Sequence, residues 1–282
     1  MQDQDALRTL NWLVEAGADE AIGETPVNRF AVKTGAPTEP TPTIKVSLTR
    51  PPQAKPVADA LSPIVGRGES KGDAIGDAQA LAAAATSLAE LKIALEGFEG
   101  CALKRTATNT VFADGTAQGR VMFIGEAPGR DEDRSGKPFV GRAGQLLDRM
   151  LASIGLDRRI NTYITNVINW RPPDNRDPSP EEAAMCLPFL RRHIELADPG
   201  VIVLLGAVAA RHVMGISDGI MKSRGRWMEY RVGTRMVPVM PTLHPAYLLR
   251  QPAHKKLAWR DLQSLAARME VLGLPEPLSE DN

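Results

Sequence analysis

Residues 120–147, RVMFIGEAPGRDEDRSGKPFVGRAGQLL, decide how the chain is read. Val121, Met122, Phe123 and Ile124 form an apolar run too short for a helix and bounded by Gly125, which predicts a fully buried strand. A turn follows. Gly125, Pro128 and Gly129 free or fix the backbone at three closely spaced positions, so main-chain N–H groups can point at a small ligand, and Glu126 sits inside that turn. Gly136, Pro138 and Gly141 constrain a second segment around Phe139, just ahead of an amphipathic run over 143–154. A dinucleotide loop would need G-x-G-x-x-G leading straight into a helix, whereas here two charged clusters and a proline intervene. The competing reading is a plain strand-to-helix connection whose glycines only satisfy turns.

The chain has 282 residues, 43% of them apolar, enough for an ordinary core in one or two domains. Formal charge is zero but unevenly spread. Residues 1–100 carry 9 Lys and Arg against 14 Asp and Glu, a charge of −5, leaving 25 against 20, or +5, for 101–282. A polyanion should therefore meet the C-terminal part. The first residues hold Asp3, Asp5, Glu15 and Asp19 without a basic segment or an apolar stretch, and no run approaches a membrane span, so the expected address is the cytoplasm. Cys101 and Cys186 are too few for a disulfide framework and fit a reducing compartment.

Leu7, Leu10, Leu13 and Val14 predict a short amphipathic helix over 3–16, within an N-terminal segment 1–23. The stretch 24–77 scatters prolines among Thr, Lys, Ala and Gly without periodicity and reads as a disordered linker. A compact domain is expected over 78–275, with a tail at 276–282. It opens with an Ala-rich helix over 78–96. Beyond it, β-rich runs at 121–124, 162–168, 201–205 and 236–240 alternate with helical patterns at 141–154, 180–196, 207–214 and 255–272. That order predicts an α/β fold, three layers αβα around a mainly parallel sheet of about four strands, with ligands outside the carboxyl ends of the strands.

Three of those ends carry polar residues suited to a site: Gly125-Glu126, Asn166, and His244 after the fourth strand. The loop after the second strand, WRPPDNRDPSPEE, is stiffened by four prolines and offers Arg171, Asn175 and Arg176 to phosphates. The segment HPAYLLRQP sets Tyr247, Leu248 and Leu249 beside Arg250, and bulky apolar residues at an exposed loop tip suit a wedge into stacked bases.

GEAPGRDED followed by GKPFVGRAGQLL resembles the first signature of the family 4 uracil-DNA glycosylases. NVINWRPPDNRDPSPEEAAMC, PGVIVLLGAVAA and TLHPAYLLR follow in that family's order, and the likeness covers about residues 98–272. The resemblance implies an enzyme that hydrolyses uracil from DNA, single- or double-stranded, and leaves an abasic site. Its uracil pocket would consist of Glu126, Ala127, Pro128, Phe139, Asn166 and His244. Phe139 would stack on a flipped uracil, and the Asn166 amide would meet N3–H and O4 together, a pattern cytosine reverses. His244, neutral, would donate to O2 as charge grows on the leaving base. Each has a bland counterpart: a core Phe, a strand-end cap and a structural His before proline. Ala127 stands where some related glycosylases have a water-activating Asp. Glu132 is then the nearest general base, or else crowds the C5 position against thymine.

The sequence departs from that family in one respect. Its members usually hold a four-iron four-sulfur cluster on four cysteines, and the corresponding positions here are Phe98, Cys101, Trp170 and Cys186. Two thiolates do not make that ligand set, so no cofactor is expected. A monomer acting on uracil-containing DNA is the leading expectation. The alternatives are a catalytically silent DNA- or uracil-binding module, and a small-molecule nucleotide hydrolase, which would want a carboxylate array or a P-loop lysine absent here.

Overall fold

A computed structural model describes residues 71–275. The helix expected over 3–16, the linker over 24–70 and the tail 276–282 lie outside the described residues. The chain runs α1 (Lys71–Ala84), α2 (Leu88–Gly97), β1 (Ala113–Gly115), β2 (Val121–Gly125), α3 (Arg130–Ser135), α4 (Arg142–Ala152), β3 (Thr162–Asn166) and α5 (Pro180–Ala197). It continues through β4 (Val201–Leu205), α6 (Ala207–Met214), α7 (Ile220–Ser223), β5 (Met228–Val232), β6 (Arg235–Thr242), α8 (Pro245–Arg250) and α9 (Lys255–Leu272).

The sheet has six strands in the order β1-β3-β2-β4-β6-β5. The four expected strands form its parallel centre, while β1 and β5 add antiparallel edges that the sequence reading omits. Their sequences explain the omission: β1 is the polar tripeptide ADG, and β5, MEYRV, has no continuous apolar run. Successive β2 side chains point to opposite faces. Met122 and Ile124 join Ile202, Leu204 and the buried faces of α1, α2, α5 and α6, whereas Val121 and Phe123 join Val203, Leu205, α4 and α9. The result is the expected three layers.

The helix read over 78–96 is in fact two. Ser87 Oγ accepts from Glu90 N at 3.2 Å while the Glu90 carboxylate takes Thr86 N and Oγ1 at 2.7 and 2.8 Å, and this reciprocal cap starts α2 within an otherwise helical composition. The first helix, α1, takes in residues 71–77 of the stretch read as linker. The second strand stops at Asn166, not 168. Val167 N and Ile168 N instead bond Gly125 O and Glu126 O, folding an apolar continuation over the turn. Among the described residues no helix is long and apolar enough to cross a membrane.

On α5, His193 is buried against Tyr163, whose hydroxyl lies 2.9 Å from Nε2, and stacks on Phe112 at 4.2 Å. Burial holds its pKa down to about 3. The unfolded chain therefore binds a proton that the folded one refuses between the ordinary His value, about 6.5, and about 3, so stability is full above that window and falls with pH inside it. Urea midpoints taken from pH 7 to 4 should fall, and His193→Gln should flatten the decline by about 1.4 kcal/mol per pH unit; an unaltered slope would show that His193 protonates in the native state.

Candidate active site

The carboxyl ends of β2, β3, β4 and β6 open onto a cavity of about 560 Å³. The parallel register pairs Gly125 with Asn166. Asn166 is 2% exposed and its Oδ1 has no hydrogen-bond partner, alone in this among buried side-chain atoms of the described residues. A Cβ on Gly125 would overlap both that oxygen and the edge of the Phe139 ring, so the bare glycine lets amide and ring meet. A buried acceptor left unmade costs about 1–3 kcal/mol, which a ligand donor would recover.

Phe139 is buried with φ 55, the left-handed region that a side chain with a Cβ rarely adopts. Glu132 braces this loop. Its Oε1 accepts from Val140 N and Gly141 N, each at 2.9 Å, and its Oε2 from Gly129 N at 3.1 Å, tying the first turn to the second. Bonded to three backbone donors, Glu132 braces the loop while also lining the cavity, where the sequence reading set it as the nearest base or as a group crowding C5.

His244 opens α8, with Pro245 at the first helical position, and its Nδ1 accepts from Ala246 N at 3.1 Å. That bond leaves the imidazole proton on Nε2. Burial, then the charge of Arg250, hold its pKa down to about 4, so the ring is neutral at pH 7. Its centroid lies 5.5 Å from that of Phe139. Across the cavity, burial and Asp177 raise the pKa of Glu126, partly offset by Arg211 and Arg250.

Ala127, Pro128, Asn175, Arg176, Tyr247 and Arg250 also line the cavity, but Arg171, Leu248 and Leu249 do not. Arg176 forms a two-point ion pair with Glu182, 2.8 and 2.6 Å, and Arg171 Nε donates to Asn175 Oδ1 at 2.7 Å, so these residues pin the loop to α5 and to itself. The supposed loop tip at 245–250 is helical. Leu248 is 1% exposed among Leu146, Met150, Leu243 and Leu262, and half-buried Leu249 packs on the same cluster, so Leu248 is a core residue here rather than the exposed tip expected of a wedge. The Tyr247 hydroxyl is held 2.7 Å from His254 Nδ1. Asp177, Arg211 and Ile220 are additions to the site. Asp177 falls in a loop already singled out, while the four-residue α7 that brings Ile220 carries no periodic signal.

Phe98, Cys101, Trp170 and Cys186 are all buried in the core between the sheet and α5. Phe98 tilts onto Phe189 at 5.2 Å, and Trp170 Nε1 donates to Thr110 Oγ1 at 3.0 Å. The two thiols hydrogen-bond each other, which pushes Cys101 down and, together with burial, Cys186 up. A donor set of two thiols, with aromatic rings in the remaining positions, does not fit a four-thiolate cluster. Among the described residues no three or more His, Cys, Asp or Glu are grouped to hold a metal ion.

An open cleft at the strand ends of an αβα sandwich, with one aromatic ring, one idle amide oxygen and one fixed imidazole donor, has the shape and chemistry to hold a flat, hydrogen-bonding heterocycle. The profile of the Uracil DNA glycosylase superfamily matches residues 112–263. A type-4 uracil-DNA glycosylase of Archaeoglobus fulgidus is 42% identical over 63% of this chain and 89% of its own length, and one of Thermotoga maritima is 46% identical over 55% and 79%. A type-5 uracil-DNA glycosylase of Pyrobaculum aerophilum is 34% identical over 36% and 51%. The chain belongs to the uracil-DNA glycosylase superfamily.

The packing of Leu248 makes a direct prediction. Leu248→Ala should lower folding stability by about 2–5 kcal/mol, the cost of a buried Leu truncation, and affect cleavage of single and double strands alike. Urea unfolding and paired cleavage assays check it; a stable variant impaired only on duplex would restore the wedge.

Proposed function

We propose that the chain is a uracil-DNA glycosylase, a hydrolase that cleaves the N-glycosidic bond of a flipped-out uracil in DNA and leaves an abasic site for base excision repair. The observation that carries this reading is the unpartnered Asn166 Oδ1 beside the edge of the Phe139 ring. Uracil brings an N3–H donor to that oxygen and an O4 acceptor to the amide nitrogen, whereas cytosine offers an acceptor and a donor in the reverse order. Phe139 stacks on the base. His244, its Nε2 proton fixed by the bond at Nδ1, donates to O2. As water adds to C1′ and the C1′–N1 bond breaks, the bonding pair leaves with the base and spreads onto O2, where a neutral donor in a desolvated site stabilises it most. With Glu132 spent on the backbone, Glu126 is the cavity carboxylate suited to take the proton of that water, and its raised pKa improves it as a base. Ala127 and Pro128 shape the turn beneath O2, and exposed Arg250 attracts the DNA backbone.

The catalytic unit is residues 78–275, acting as a monomer on single- or double-stranded DNA in the cytoplasm, with 1–23 and 24–77 as appendages. The test is alkaline cleavage of a uracil oligonucleotide after incubation, with thymine and cytosine controls. Asn166→Ala should cut the rate by about 10², and His244→Ala should lower single-turnover cleavage far more than affinity. Binding of uracil DNA without abasic sites would instead establish a silent binding module.

We also read the cluster as lost, on the donor set at Phe98, Cys101, Trp170 and Cys186. Purified protein should be colourless and fully active without iron. Brown protein with about four irons per chain, losing activity on chelation, would overturn this.

A further inference from the structure

We propose that Arg158 is the positioning residue that sets the stacking face of the pocket, acting through Phe139; this rests on reading Phe139 as the ring that stacks on the base. Arg158 follows α4 and precedes β3, its side chain is largely buried, and it is not among the residues that line the cavity. Its guanidinium is used from every side. Nε and Nη2 reach Asp148 Oδ1 on α4 at 2.8 and 2.7 Å, and Nη1 reaches Asp114 Oδ2 on the edge strand β1 at 3.2 Å. The same group donates from Nη1 to Pro138 O at 3.0 Å and from Nη2 to Phe139 O at 2.8 Å.

Two successive carbonyls converge on one planar cation only if the backbone between them is turned, and the turn taken is the left-handed conformation of Phe139. The next two N–H groups, Val140 and Gly141, go to Glu132. The carbonyls of both peptides flanking Phe139 are thus held by a cation, and the amides of Val140 and Gly141 just after it by an anion. The first turn of α4 closes the third side, because a Cβ on Gly144 would overlap the Phe139 carbonyl. These contacts set the Phe139 main chain so that the edge of its ring lies against Gly125 and beside Asn166 Oδ1. A lysine could keep the charge near Asp114 and Asp148 but not the planar fork that bonds both carbonyls.

The experiment is a double-mutant cycle of Arg158→Met and Phe139→Ala, read by single-turnover cleavage of a uracil-containing single strand, inhibition by free uracil, and affinity for abasic-site DNA. Arg158→Met is expected to slow cleavage by on the order of 10²-fold, the cost of a small misplacement, and to weaken uracil inhibition. Affinity for abasic DNA, which presents no base to the ring, should stay within about twofold. In the Phe139→Ala background the Arg158 change should cost no more than about twofold, because the two residues act as one unit. Losses that multiply in the double variant, or abasic-DNA affinity falling with the rate, would overturn the proposal. Impaired Phe139→Ala beside a fully active Arg158→Met would sink this proposal alone, and a fully active Phe139→Ala would remove the stacking reading beneath it. If Arg158→Met does not fold, Arg158→Lys carries the same cycle with the same expected pattern, and wild-type cleavage by that variant would likewise overturn it.

Discussion

The parallel pairing of Gly125 with Asn166 is the constraint from which the pocket follows. A slip of one residue in this register would turn the Asn166 amide to the other face of the sheet and bury it in a helix layer. The register is fixed by apolar burial on both faces. Val121 and Phe123 serve one helix layer and Met122 and Ile124 the other, so a one-residue slip would exchange the side chains fitted to the two layers. The bonds from Val167 and Ile168 back to Gly125 and Glu126 extend this grip past the strand ends, which is why the turn bearing Glu126 is as well placed as the sheet itself.

Around that fixed point the electrostatics are arranged for a neutral donor and a reluctant acid. Arg250 contributes to both, helping to hold the His244 pKa down and working against the rise at Glu126. Burial is the larger cause in each case, and it acts in opposite senses because it penalises the charged form: imidazolium for His, carboxylate for Glu. A site closed enough to keep His244 neutral therefore also makes Glu126 more basic. In the proposed reaction, charge developing on the leaving base would meet the fixed Nε2–H of His244.

How much of this was legible in the sequence depended on whether the signal was local. The parallel centre was visible because each of its strands is a short apolar run between breakers, and Asn166 and His244 stood out as polar residues at the ends of such runs. The edge strands were not, since half-exposed strands such as MEYRV carry no comparable run. The exposure of Leu248 was misjudged for a related reason. In HPAYLLRQP the proline after His244 suggests a loop, yet proline at the first position of a helix starts one, and the helix then turns Leu248 inward. Arg158 could not be found at all, because its importance lies in joining Asp114, Pro138, Phe139 and Asp148, which only the folded chain brings together.

The loop that lines the pocket over residues 170–178 shows how a site segment with only one short 3-10 turn, Pro173–Asn175, stays in place. Trp170 is buried at its start, where its indole reaches Thr110, and Arg176 clamps its far end to Glu182 on α5. Between them Asp174 and Asn175 both adopt left-handed conformations, a strain tolerable only because the ends are fixed. Fully burying side chains such as Trp170 and Phe98 is worth about 1.5–3 kcal/mol each, and both share one core with Cys101 and Cys186. Those four residues join the end of α2, the start of the pocket loop and the middle of α5. Apolar packing at this junction therefore fixes the loop that lines the pocket to the helix layer behind it.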